Sequence, residues 1–215
     1  MLKVFHKVVG LAQENTYVVV RDNQDALVFD PGDKGKALID WIDSNGWQPK
    51  AILLTHAHFD HIGACDALRD RYDIPVYVYY IEQQWLMDGA LNGSQSLLRQ
   101  PITQAPADHV WQASDLGRQV VEGFEFEIYH VPGHSPGHVV YHFPSDHLVI
   151  SGDTLFRDSI GRTDLQDGDL HSLLAGIKNH LLVLDEETMV YPGHGDPTTI
   201  KREKRLNPYL QVFNA

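Results

Sequence analysis

The chain has 215 residues, 43% of them hydrophobic and 21% charged, the make-up of an ordinary folded domain rather than of a disordered or fibrous protein. Seventeen basic against 29 acidic residues give a net charge of −12, which disfavours nucleic acid and anionic membranes as partners because the long-range field repels both. The single cysteine, Cys65, excludes an internal disulfide framework and a multi-cysteine zinc site; with no apolar leader in MLKVFHKVVG and no bilayer-length apolar run, a cytoplasmic setting is expected.

Strands are predicted over Leu2 to Val9, Thr16 to Val20 and Ala26 to Phe29, the third ended by Asp30-Pro31-Gly32. Ala37, Leu38, Trp41 and Ile42 have the spacing of an amphipathic helix over Lys36 to Ser44, stopped by Asn45-Gly46. Ala51 to Leu54 reads as a buried strand, followed by Thr55-His56-Ala57-His58-Phe59-Asp60-His61 and a helical pattern through Ile62, Cys65, Leu68 and Arg69. A strand over Ile74 to Val78 and a helix over Glu82 to Met87 precede a loop rich in Gly, Asn, Ser and Pro. The second half repeats the grammar: strands over Phe124 to His130, His138 to Phe143 and His147 to Ser151, a helix over Leu170 to Asn179 and a strand over Thr188 to Tyr191. Consecutive strand pairs with short turns argue against a purely parallel sheet, so an α/β (α+β) fold of two mixed sheets with outer helices is expected, in one domain over residues 1–215.

Four places share one design: an apolar strand runs out, and a histidine or aspartate follows within a few residues. AILL leads to His56, His58, Asp60 and His61; FEFEIYH leads to His134; HLVIS leads to Asp153; TMVY leads to His194. Residues at the ends of strands on one sheet edge can converge from distant parts of the chain. Five imidazoles and two carboxylates exceed what one catalytic zinc takes and suit two metals, with one aspartate bridging. The other histidines read as surface or core residues; His138, four beyond His134, is a supporting residue at most.

These residues resemble a known family. THAHFDH at residues 55–61 is similar to the THxHxDH signature of the metallo-β-lactamase superfamily, and GHSPGH (133–138), GDTLF (152–156) and PGHG (192–195) resemble its later motifs in order. The resemblance implies a four-layer αββα sandwich. It implies that His56, His58 and His134 hold one metal, that Asp60, His61 and His194 hold the other, and that Asp153 bridges. Asp30 and Thr55 would support the ligand loop. Asp153, where β-lactamases typically carry cysteine, and FRDSIGRTDL at 156–165 are similar to the single-domain glyoxalase II-like branch, associated with methylglyoxal detoxification. Glyoxalase II proper has a further C-terminal helical domain and a Gly-Lys-x-Tyr segment that touches glutathione. This chain reads Gly161-Arg162-Thr163-Asp164, so the resemblance leaves Arg162 as the substrate-binding residue.

The expected activity is hydrolysis of a small-molecule thioester such as S-lactoylglutathione. A hydroxide bridging the metals attacks the carbonyl, with Asp60 and Asp153 as the catalytic carboxylates. Two divalent ions are implied, zinc first, with iron or manganese equally compatible with nitrogen and oxygen ligands. The run Lys201-Arg202-Glu203-Lys204-Arg205 reads as a solvated helix face, and Cys65 as a small core residue. The alternative enzyme is a persulfide dioxygenase with a single iron, which the Gly-Arg-Thr-Asp segment also resembles; His194 argues for two metals instead. A hydrolase of another small ester, or a non-catalytic metal-binding protein, completes the alternatives.

Overall fold

The computed structural model describes residues 1–213; residues 214 and 215, the end of the predicted 1–215 domain, lie outside the described residues. The chain clusters into two compact units, Met1–Gln112 and the residues from Ala113 onward.

The first unit comprises β1 (Lys3–Val9), β2 (Glu14–Val20), β3 (Asp25–Phe29), α1 (Gly35–Asn45), β4 (Gln48–Leu53), α2 (Phe59–Ile62), α3 (Cys65–Tyr72), β5 (Val76–Tyr79), α4 (Ser94–Leu98) and β6 (His109–Trp111). The six strands lie side by side in sequence order. β1 to β3 are antiparallel, while β3 to β6 run parallel. Parallel neighbours need a crossover, and α1 and the α2–α3 segment supply two of them. Leu38 and Ile42 of α1 and Cys65 and Leu68 of α3 are buried in one core with Val18, Val28 and Ile52 of the sheet. Gly46, at φ +70°, stops α1 by turning its N–H back to the carbonyls of Ile42 and Asp43, a left-handed cap that glycine adopts without strain. Burial pushes the Cys65 thiol well above its ordinary range, as suits an inert core residue.

One predicted element differs. Tyr80–Glu82 forms a single 3₁₀ turn and residues 83–87 form turns, where a helix over Glu82 to Met87 was predicted. Glu82 is fully buried and its carboxylate accepts the amide of Ala57. The carbonyl of Trp85 accepts the side-chain amide of Asn92 at 2.9 Å. These long-range partners outcompete the local helical pattern.

The second unit comprises β7 (Gly117–Val121), β8 (Phe124–His130), β9 (Val139–Phe143), β10 (Leu148–Gly152), β11 (Leu155–Phe156), β12 (Ser159–Ile160), α5 (Leu170–Gly176), β13 (Met189–Pro192), β14 (Thr198–Thr199) and α6 (Ile200–Leu206). Its main sheet has the order β14-β13-β10-β9-β8-β7, antiparallel except for the parallel pair β10–β13, and β11–β12 is a separate hairpin. Asp169 caps α5 by accepting the amide of Ser172, and α5 continues as a π-helical turn over Ile177–Leu181. Leu173, Ile177 and Leu181 pack with Val140, Val149 and Val190 of the sheet. No helix among the described residues is long and apolar enough to cross a membrane.

The basic run on α6 pairs with acids from other segments of the second unit. Arg202 pairs with Asp158, Lys201 with Glu187 and Lys204 with Glu186. Glu203 is buried, where it accepts from the Thr198 hydroxyl, the Asp158 amide and the Asn207 side chain.

Candidate metal centre

In the first unit, the parallel pairing of β3 with β4 sets Phe29 opposite Leu53, so both chains leave the sheet at the same edge. Asp30 follows one strand and Thr55 to His61 follow the other. Asp30 is buried, in the left-handed region at φ +48°, a conformation that aspartate tolerates better than most residues. Its Oδ1 accepts the Thr55 amide at 2.7 Å; its Oδ2 accepts the Thr55 hydroxyl at 2.6 Å and lies 3.0 Å from His61 Nδ1.

These contacts fix proton positions. A hydroxyl has one proton to give. Thr55 donates its proton to Asp30, so at the 3.0 Å contact with His56 Nδ1 it accepts. His56 and His61 therefore both carry their proton on Nδ1, which makes Nε2 the nitrogen with a lone pair to offer a cation. One ligand atom from each of Asp30, His56 and His61 lies within 4.8 Å of the others. The His58 ring stands perpendicular to that of His56, centroids 4.8 Å apart, and Asp60 Oδ2 is 3.9 Å from His61 Nε2.

Two further acids lie behind this loop. Glu82 accepts the amide of Ala57, the residue between His56 and His58, at 2.6 Å. Glu14 is fully buried 3.0 Å from the Thr16 hydroxyl, and burial pushes its carboxyl well above the usual range. Neither belongs to a local motif. Only the sequence Glu14-Asn15-Thr16, polar residues opening the fully buried strand ENTYVVV, marks one of them.

In the second unit, the parallel register of β10 and β13 sets Gly152 opposite Pro192, and the Gly193 amide donates to the Gly152 carbonyl at 2.8 Å. Asp153 and His194 leave the sheet together. Asp153 Oδ2 is 3.4 Å from Nε2 of both His134 and His194. The Nδ1 of His134 contacts the Arg162 carbonyl at 2.8 Å; a carbonyl only accepts, so His134 also bears its proton on Nδ1. His138 is fully buried and its Nε2 accepts the amide of Asp153 at 2.9 Å.

Arg162, the expected substrate-binding residue, has an exposed side chain paired with a neighbouring acid. Its guanidinium makes two bonds, 2.7 and 2.8 Å, to Asp164, and that pairing holds the Asp164 carboxyl down to about 2. The part of Arg162 that meets the candidate ligands is its main chain. Gly161 explains how it gets there: a Cβ at this position would come within 1.9 Å of the Asp153 carbonyl oxygen. Gly161→Ala is accordingly expected to lower unfolding free energy by about 1–3 kcal/mol, since the two segments must separate. Urea unfolding of the two proteins compares them, and an unchanged midpoint would show that the close approach is not needed.

The donors in each unit fit a divalent cation: imidazoles beside carboxylates, with Nδ1 of His56, His61 and His134 each turned to an oxygen. All are nitrogen or oxygen, which suits zinc, iron or manganese without choosing among them.

The metallo-beta-lactamase superfamily profile matches residues 9–194. The chain is 46% identical over 206 residues to the "Probable metallo-hydrolase YqgX" of Bacillus subtilis, covering 96% of each. It is 33% identical over 198 residues to the "Hydroxyacylglutathione hydrolase GloC" of Haemophilus influenzae, covering 92% of this chain and 93% of that one. Among solved structures it resembles BLEG-1, named a B3 metallo-beta-lactamase (48% identity, TM-score 0.94, 97% and 99% covered). It also resembles TTHA1623 in a di-iron-bound form (40%, TM-score 0.84, 96% and 100% covered). The two mixed sheets with their helices match that fold. The chain belongs to the metallo-beta-lactamase superfamily and carries, at its strand ends, the histidines and aspartates of a metal-dependent hydrolase.

Proposed function

We propose that the chain is a binuclear thioester hydrolase of the glyoxalase II-like kind. His56, His58 and His134 hold one divalent cation, Asp60, His61 and His194 hold a second, and Asp153 serves both. The observation that carries this reading is the shared tautomer of His56, His61 and His134, each set by an oxygen on Nδ1. The relative named as a hydroxyacylglutathione hydrolase supports the thioester, and the di-iron form of a 40% identical neighbour supports the pair of ions.

When bound, such cations supply Lewis acidity and a water of lowered pKa. The chain's residues supply orientation. Asp30 holds the protons of Thr55 and His61, Glu82 fixes the backbone between His56 and His58, and the Arg162 carbonyl turns His134. The net reaction consumes one water, breaks the C–S bond, forms a C–O bond and releases a carboxylate, a thiol and one proton to solvent. With an ordinary thiol pKa of about 8.5, the leaving thiolate needs no strong protein acid.

Elemental analysis of purified protein, run beside assays on S-lactoylglutathione, glutathione persulfide and a β-lactam, tests the reading. Close to two metals per chain with thioester cleavage is expected. One iron with oxygen uptake on the persulfide would replace it with the dioxygenase reading. Turnover of the β-lactam alone, the activity for which the BLEG-1 neighbour is named, would overturn it as well.

A further inference from the structure

A crevice of about 60 Å³ opens in the first unit beside Asp60. Leu11 and Ala12 of the β1–β2 turn, Phe59, Leu98 and Ile102 are the larger apolar residues that line it. Leu11 and Leu98 are exposed although apolar. Asp33 and Asp60 are the charged residues of its lining. The lining is thus mostly apolar with two acidic residues and no basic one, which suits an uncharged alkyl group and disfavours an anionic one.

Building on the proposed thioesterase reading, we infer that this crevice receives the acyl chain of the substrate, and that it selects short acyl groups. Its size sets the limit. A cavity that takes benzene measures about 150 Å³, so the present one is filled by roughly two or three carbons. The choice of end follows from charge. The thiol carrier named by the glutathione-specific relative is anionic, and Asp33 would oppose it here. Arg162, the basic residue in the segment where that carrier is expected to bind, is already engaged by Asp164. The carrier is therefore not what this crevice reads.

Two substitutions bracket the inference. Ala12→Leu, in an exposed turn, fills the crevice; Ile102→Ala widens it and leaves the backbone bonds of residue 102 to Ser94 and Asn92 in place. The metal-loaded proteins are assayed on N-acetylcysteamine thioesters from acetyl to octanoyl, and calorimetry follows binding of the matching non-cleavable alkyl thioethers. The wild type is expected to prefer acetyl to butyryl chains, with kcat/KM falling roughly tenfold for the first methylenes beyond the limit. Ile102→Ala should move the optimum to longer chains and Ala12→Leu to acetyl, with thioether affinities following the same order. Cleavage with one length profile in all three proteins would overturn the crevice inference and leave the hydrolase reading standing. Thioether affinities that track the substitutions without any cleavage would do the reverse.

Discussion

Asp30→Asn is expected to lower metal affinity by about two orders of magnitude while the fold persists, the upper end of what loss of a ligand-orienting partner costs. Both carboxylate oxygens of Asp30 face donors: the Thr55 amide on one side, the Thr55 hydroxyl and His61 Nδ1 on the other. The asparagine oxygen can satisfy the Thr55 amide. Its NH₂ then faces the hydroxyl and the ring, and donates to both. Thr55 turns its proton towards His56, and both imidazoles move their proton to Nε2, the nitrogen that had the lone pair. Asparagine tolerates the left-handed backbone of position 30, so the stability change should stay within about 1–3 kcal/mol, the cost of rearranged buried hydrogen bonds. Imidazole ¹⁵N shifts of the apo protein read the tautomers directly. Retention of Nδ1 protonation in the variant would refute the relay.

His58→Ala is expected to reduce thioester turnover about 10³-fold or more, equivalent to several kcal/mol of lost transition-state stabilisation, and to lower the metal content of the purified protein. His58 is buried, but it lies at the very start of α2, outside the apolar core of the first unit. Removing the ring should leave far-UV circular dichroism and the urea midpoint nearly unchanged. Full activity with two metals bound would contradict its assignment as a ligand.

The candidate ligand positions could be named from the sequence because each depends on a local pattern: an apolar strand, a turn, then a donor. Strands such as Phe124–His130 were legible to the residue for the same reason. Contributions made across the fold or by the main chain were not. Nothing near Glu82 indicates that it will reach the amide of Ala57, 25 positions earlier. Nor can a side-chain pattern announce the Arg162 carbonyl, whose contact with His134 comes from the main chain. Short edge strands such as β6 and β14 went unread because two or three residues carry no periodicity. The lysines and arginine of α6 read as a solvated face, since their partners at positions 158, 186 and 187 come from other segments.

The crevice walls come from the β1–β2 turn and from the segment around α4, whereas the donors sit at strand ends fixed by sheet register. The β1–β2 turn can be lengthened or recoloured most freely, whereas the segment around α4 is tied to the ligand loop through the Phe59 amide and the Asn92 carbonyl. A change of residue at positions 11 and 12 can therefore alter what fits beside Asp60 while the strand register that places the candidate donors stays as it is.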